Sequence, residues 1–124
     1  MFSHIFVGTD DIDAARRFYD ATFAALGVGA AVTDPKGRLF YRTQTGTFGV
    51  TLPINGAAAS GANGGTIGFH AESPEALKAW HAAGLAHGGT AIEDPPGQRP
   101  NGLWLAYLKD PAGNKLCALH RAKS

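Results

Sequence analysis

FSHIFVGTDDIDAARRFYDATFAALG, residues 2–27, is the stretch whose reading decides the fold. From Ser3 to Gly8, Ile5 and Val7 fall on one side and His4 and Phe6 on the other, the two-residue period of a strand with two different faces. Asp11 then offers a capping oxygen. Ile12, Ala15, Tyr19, Phe23 and Leu26 recur at steps of three and four until Gly27 stops the run, which predicts an amphipathic helix. Three strands are expected next: about 28–33, about 38–43 after the turn Asp34-Pro35-Lys36-Gly37, and about 47–52 after Thr45-Gly46.

Residues 53–64, PINGAAASGANG, are small and aperiodic and read as a linker. Beyond them the order begins again. A strand over 65–70 leads to Ser73 as cap, Pro74 at the first helical position and Glu75 in the first turn of a helix ending at Gly88-Gly89. A short strand near 90–92, a Pro-rich loop 93–102, a strand 103–108, the turn 110–114 and a last strand 115–120 follow. The reading is therefore an α+β domain of two pseudo-symmetric βαβββ modules, about 1–52 and about 65–120. A shift of 62 lays Ile5 on Ile67 and Gly27 on Gly89, and a shift of 66 lays Leu39 on Leu105 and Tyr41 on Tyr107. By the same shifts His4, Thr51, Thr66 and Cys117 become four related positions.

The 124 residues are one domain's worth, with 44% hydrophobic and 17% charged residues, too apolar for a disordered chain. No apolar run approaches the ~20 residues of a bilayer helix. Eleven Lys and Arg against ten Asp and Glu give +1, and the halves divided after residue 62 carry 0 and +1, so neither is a basic footprint for nucleic acid. The amino end lacks the charged-then-apolar design of a secretory signal, and Cys117, the single cysteine, excludes an internal disulfide and a CxxC zinc site. A cytoplasmic protein is expected.

The opening segment, TIGFHAESPEALKAWHAAG (66–84) and DPAGNKLCALH (110–120) together resemble the vicinal oxygen chelate superfamily of glyoxalase I, extradiol dioxygenases, and fosfomycin and bleomycin resistance proteins. The resemblance covers essentially the whole chain. It implies that the two modules curl into an open cup, usually completed across a homodimer, with a divalent metal on the cup wall. Metal-dependent members place a His on the first strand, a carboxylate on the fourth, a His or carboxylate on the fifth and a Glu on the eighth. Carried over, these positions are His4, a match, and Thr51, Thr66 and Cys117, none of which matches.

A divalent ion held by imidazoles and carboxylates needs several strong donors, and an open catalytic zinc centre keeps three protein ligands. Here His4 is the one candidate metal ligand, so no cofactor is expected. His70 shares a strand face with Thr66 but sits roughly 13 Å along it, too far for the same ion. The expected ligand-binding residues are His4, Thr51, Thr66, His70, Trp104, Tyr107 and Cys117. His4 reads as a relic ligand, a hydrogen bonder to a ligand or a wall histidine. Cys117 reads as an apolar filler or as a nucleophile paired with His4. Trp104, after the Pro-rich loop, reads as an aromatic lid at the cup's mouth, Arg99 in that loop as an anion donor or a solvated side chain, and Tyr41 and Tyr107 as symmetry mates. Two functions follow: a protein binding a small organic ligand without a metal, or a glyoxalase-like lyase or isomerase with an atypical metal site or a metal-free mechanism using His4 and a tyrosine. A cationic drug suits neither, because the chain has no acidic excess.

Overall fold

In the computed structural model, which describes residues 1–122, the βαβββ order occurs twice. The first unit is β1 (His4–Gly8), α1 (Ile12–Ala25), β2 (Val32–Thr33), β3 (Leu39–Thr43) and β4 (Gly46–Thr51). The second is β5 (Ile67–His70), α2 (Pro74–Ala86), β6 (Thr90–Ala91), β7 (Gly97–Gln98), β8 (Trp104–Lys109) and β9 (Lys115–His120). Each makes a mixed sheet with its first strand at an edge, in the orders β1-β4-β3-β2 and β5-β9-β8-β6, and β7 is a short addition on β8. The two sheets do not pair with one another. The architecture is α+β and open.

Local chemistry starts and stops the helices as the sequence predicts. The Asp11 carboxylate accepts from the Ala14 N–H and the Ser73 hydroxyl from the Ala76 N–H, both at 3.0 Å, and Pro74 stands where a missing N–H costs nothing. Several details differ from the sequence reading. The strand expected over 28–33 shrinks to two residues, because the chain after α1 is tied back to it: the Val28 N–H donates to the Phe23 carbonyl and the Ala31 N–H to the Asp20 carboxylate. These donors are lost to a ladder. Conversely, the loop 93–102 contains β7, closed by a turn in which the Gly102 N–H donates to the Arg99 carbonyl at 2.9 Å.

Both helices cover the same side of the sheets. Ile5, Val7, Leu39, Tyr41, Phe48 and Val50 face α1, while Leu108, Ala106, Leu116 and Ala118 face α2. The helices also pack on each other, with the Phe18 ring laid over Gly84 and Gly89, where an added Cβ would lie 3.2 and 2.6 Å from it. Phe23 joins the two halves of the core: its ring centroid lies 4.7 Å from that of Tyr41, 5.3 Å from Phe48 and 5.0 Å from Phe69. Edge-to-face and tilted arrangements of this kind add to the burial they accompany.

Strand register overturns part of the repeat alignment. Tyr41 lies on the helix face with Leu39, whereas Tyr107 pairs with Cys117 and lies on the opposite face with Leu105. Tyr41 and Tyr107 are therefore not symmetry mates. A shift of one residue turns a side chain to the other face, and matching similar letters does not detect it.

The turn 110–114 ties the modules together. The Asp110 carboxylate accepts from the backbone of Ala112 (2.9 Å) and Asn114 (2.8 Å), from the Asn114 amide (2.8 Å) and from the Tyr19 hydroxyl of α1 (2.5 Å). The Asn114 amide also donates to the Gly8 carbonyl at the end of β1 (2.9 Å). Burial and the adjacent carboxylate push the Tyr19 phenol well above its ordinary pKa, so it stays a donor. Replacing Asp110 strands several buried donors at once, each hydrogen bond to a charged group being worth about 1.5–3 kcal/mol. Asp110→Ala is expected to lower unfolding free energy in urea by at least about 3 kcal/mol; a loss within experimental error would remove this carboxylate from its structural role.

Candidate functional site

The sheet faces away from the helices form the candidate site, together with the seam between the edge strands β1 and β5. On the first sheet the register generates three rows across β1, β4 and β3. His4 lies beside Thr47 and Thr47 beside Arg42; Phe6 lies beside Gly49 and Gly49 beside Phe40; Gly8 lies beside Thr51. The middle row depends on glycine, since a Cβ at residue 49 would sit 2.5–2.8 Å from the Phe6 ring. Phe6 and Phe40 meet edge to face at 5.4 Å, and the Arg42 guanidinium lies 4.5 Å from the centre of the Phe40 ring.

On the second sheet the corresponding face carries Gly68, His70, Tyr107, Lys115, Cys117 and Leu119. Lys115 forms an ion pair with Glu93 and lies 5.2 Å from the Tyr107 ring centre. Cys117 is 6% exposed, and burial pushes its thiol up, with the neighbouring Tyr107 acting in the other direction. Burial likewise raises the Tyr107 phenol, helped by Cys117. A thiol that burial keeps protonated suits an apolar filler better than an activated nucleophile.

Two cavities lie in the seam. The larger, about 680 Å³, has Phe23, Tyr41, Phe48 and Phe69 in its walls and His4, Thr47, Gly68 and His70 among its polar and backbone lining. The smaller, about 420 Å³, lies between Gly8, Thr51 and Asn114 under the residues 58–62. His4 Nδ1 lies 2.8 Å from the Ser3 hydroxyl, and His70 Nε2 lies 3.5 Å from a Glu72 carboxylate oxygen.

The seven residues expected at the site are thus dispersed. His4 and His70 share the larger cavity and Thr51 belongs to the smaller one. Thr51 lies beside Gly8, four residues from His4 along β1, roughly 13 Å away. Thr66 precedes β5 and is exposed. Tyr107 and Cys117 face each other on the second sheet. Trp104 is on the helix face, partly buried against the core, with the Lys78 ammonium 5.3 Å from its ring centre; it is not at the mouth of a cup. Arg99 spends its guanidinium on the carbonyls of Asp94, Pro95 and Gly97, which fixes the loop instead of offering an anion donor. Sequence reading missed Phe6, Phe40 and Arg42. The alternation Arg38-Phe40-Arg42 was visible, but its alignment with His4 and Thr47 depends on register.

The sequence model of the glyoxalase/bleomycin resistance protein/dioxygenase superfamily matches residues 1–118. The chain belongs to that superfamily. Among solved structures it is similar to a glyoxalase/bleomycin resistance protein from Albidiferax ferrireducens T118, with 55% identity, coverage of 98% of this chain and 99% of that one, and a TM-score of 0.93. A glyoxalase-related enzyme from Fulvimarina pelagi shares the fold at 20% identity and a TM-score of 0.77, covering 98% and 88% of the two chains. So does a lactoylglutathione lyase from Agrobacterium tumefaciens, at 24% identity and a TM-score of 0.67, over 97% and 92%. No curated protein matches the chain.

The donor set does not fit the metal of the superfamily's metal-dependent members. His4 has Thr47 beside it, the Phe6 ring next along β1, and no carboxylate in its row; among the described residues no three His, Cys, Asp or Glu side chains come together. The raised thiol also makes a prediction. Alkylation of native Cys117 by iodoacetamide at pH 8 is expected to run at least tenfold slower than that of the urea-unfolded chain, with its pH midpoint displaced upward. Equal rates would show an accessible, ordinary thiol.

Proposed function

We propose that this superfamily member binds a small organic ligand in the larger seam cavity, the apolar part against the aromatic wall and a polar group toward His4 and Thr47, without a metal ion. The observation that carries the reading is the cavity itself: about 680 Å³, within the range of small-molecule sites, with aromatic walls and a few polar side chains. The poor metal donor set around His4 supports the absence of an ion. An isomerase using His4 and a tyrosine is less well supported, since a general base works best with a pKa near the operating pH, whereas the Tyr41 and Tyr107 phenols are both pushed upward, chiefly by burial. Tyr41 is further held as a donor to Asp20 at 2.7 Å.

A homodimer and a cytoplasmic location complete the proposal. Closure by a second subunit would cover the unpaired strand edges and exposed apolar side chains such as Phe2, Leu52 and Ile54. No nucleic-acid or membrane partner is proposed: the charge is nearly balanced, and among the described residues no helix is long and apolar enough to cross a membrane. Sedimentation at micromolar concentration should show twice the 12.9 kDa chain mass, and a monomer throughout that range would withdraw the dimer.

Gly68 supplies the decisive variant. It lines the cavity, and a Cβ placed there meets nothing within 4 Å, so Gly68→Phe can obstruct the space while leaving the core intact. In a thermal-shift screen of small aromatic and aliphatic compounds, wild type should be stabilised by some members, and Gly68→Phe, melting within about 2 °C of wild type, should respond to none. Saturating Ni, Zn, Mn or Fe(II) should leave the wild-type melting temperature unchanged. Retention of ligand responses by the obstructed variant, or a metal-dependent rise of several degrees, would refute the reading.

A further inference from the structure

We infer that the ligand is a planar aromatic anion, with its acidic group on the row His4–Thr47–Arg42 and its ring system in the larger cavity against Phe23, Tyr41, Phe48 and Phe69; this rests on the proposed binding function and names its ligand class. Three strands bring the donors together. β1 and β4 run parallel and β3 antiparallel, so residues 4, 47 and 42, distant in sequence, lie side by side on one face at spacings of about 4.8 Å per strand. Such a row spans a carboxylate with room for contacts from both sides.

Each member has unused donor capacity. His4 engages Ser3 through Nδ1 and leaves Nε2 without a protein partner, while the Thr47 hydroxyl makes no hydrogen bond among the described residues. Arg42 is exposed, and the ion pairs of the described residues, Asp34–Arg38 and Glu93–Lys115, do not include it. Its guanidinium is nonetheless held in place, 4.5 Å from the centre of the Phe40 ring. Contact with a ring occupies the face of a guanidinium and leaves its in-plane N–H groups, which suit a carboxylate.

On the side of this row away from the cavity the face is apolar. Phe6 lies over Gly49 and meets Phe40 edge to face, and the Arg38 guanidinium, neutralised by Asp34, lies 5.8 and 5.3 Å from the two ring centres. One end of the face is thus apolar and electrically satisfied, and the other is cationic and unsatisfied. His4 and Thr47 also line the larger cavity, so the acidic group would sit at its lip. Charge complementarity selects an anion over a cation of the same shape.

Calorimetric titrations with 2-naphthoate, neutral 2-naphthol and cationic 2-naphthylmethylamine at pH 7 test this on wild type, Arg42→Gln, Lys109→Gln and Gly68→Phe. Wild type should prefer naphthoate to naphthol by about tenfold, and Arg42→Gln should erase that preference. Lys109→Gln, on the exposed end of β8 in the other sheet, should bind as wild type does. Binding of the amine as tight as that of naphthoate, or naphthoate affinity unaltered in Arg42→Gln, would overturn the inference. If naphthol binds as well as naphthoate and Gly68→Phe abolishes both, the cavity reading stands and the anion assignment falls; if neither compound binds and the wider compound screen is also silent, both fall. Should Arg42→Gln change the sedimentation coefficient of the ligand-free protein, the face is covered by a second copy and the inference is overturned.

Discussion

One buried carboxylate connects the parts of this molecule that sequence separates most widely. Asp110 shapes its own turn through the N–H groups of Ala112 and Asn114, and it receives the Tyr19 hydroxyl from a helix of the other module. Asn114 carries the connection on to the end of β1. The two edge strands of the sheets do not bond to one another, so their relative placement depends on this hydrogen-bonded turn and on the aromatic contacts of Phe23. The seam cavities exist because the sheets are held near each other by the helix layer and the turn, without a ladder closing the gap.

That arrangement gives the two faces of each sheet different chemistry. The helix face is densely aromatic, its polar groups, such as the Tyr41 hydroxyl, are committed to internal partners, and at the seam its Phe23, Tyr41, Phe48 and Phe69 form the wall of the larger cavity. The opposite face is half open and carries imidazole, hydroxyl, guanidinium and phenol groups beside exposed ring surface. A hydrophobic wall with a few polar groups is the common design of a small-molecule site. The superfamily's fold supplies the walls; at the proposed site the donors on them include one accessible imidazole in the first module and no carboxylate beside it.

The fold was legible at the level of period and punctuation. The alternation around Ile5 and Val7, the caps at Asp11 and Ser73, and the DPAGN turn each express local physics that a few neighbouring residues decide. The shortened β2 was not legible in that way. Its loss comes from the Asp20 carboxylate, eleven residues upstream, capturing the Ala31 N–H. Trp104 was misplaced for a similar reason: its position after a loop was evident, but which face it occupied followed from its register with His120.

By itself, then, the sequence determined the α+β class, the twofold βαβββ order and the helix boundaries, because short-range periodicity and local capping chemistry carry all of these. Only the tertiary structure decided which residues share a face and a cavity. It separated Thr51 from His4, turned Tyr41 and Tyr107 to opposite sides, and brought Thr47 and Arg42 into line with His4. The physical reason is that strand pairing has a period of two and a freely chosen offset. A slip of one residue reverses a face, a slip of four moves a side chain about 13 Å, and neither alters the local pattern from which a strand is read.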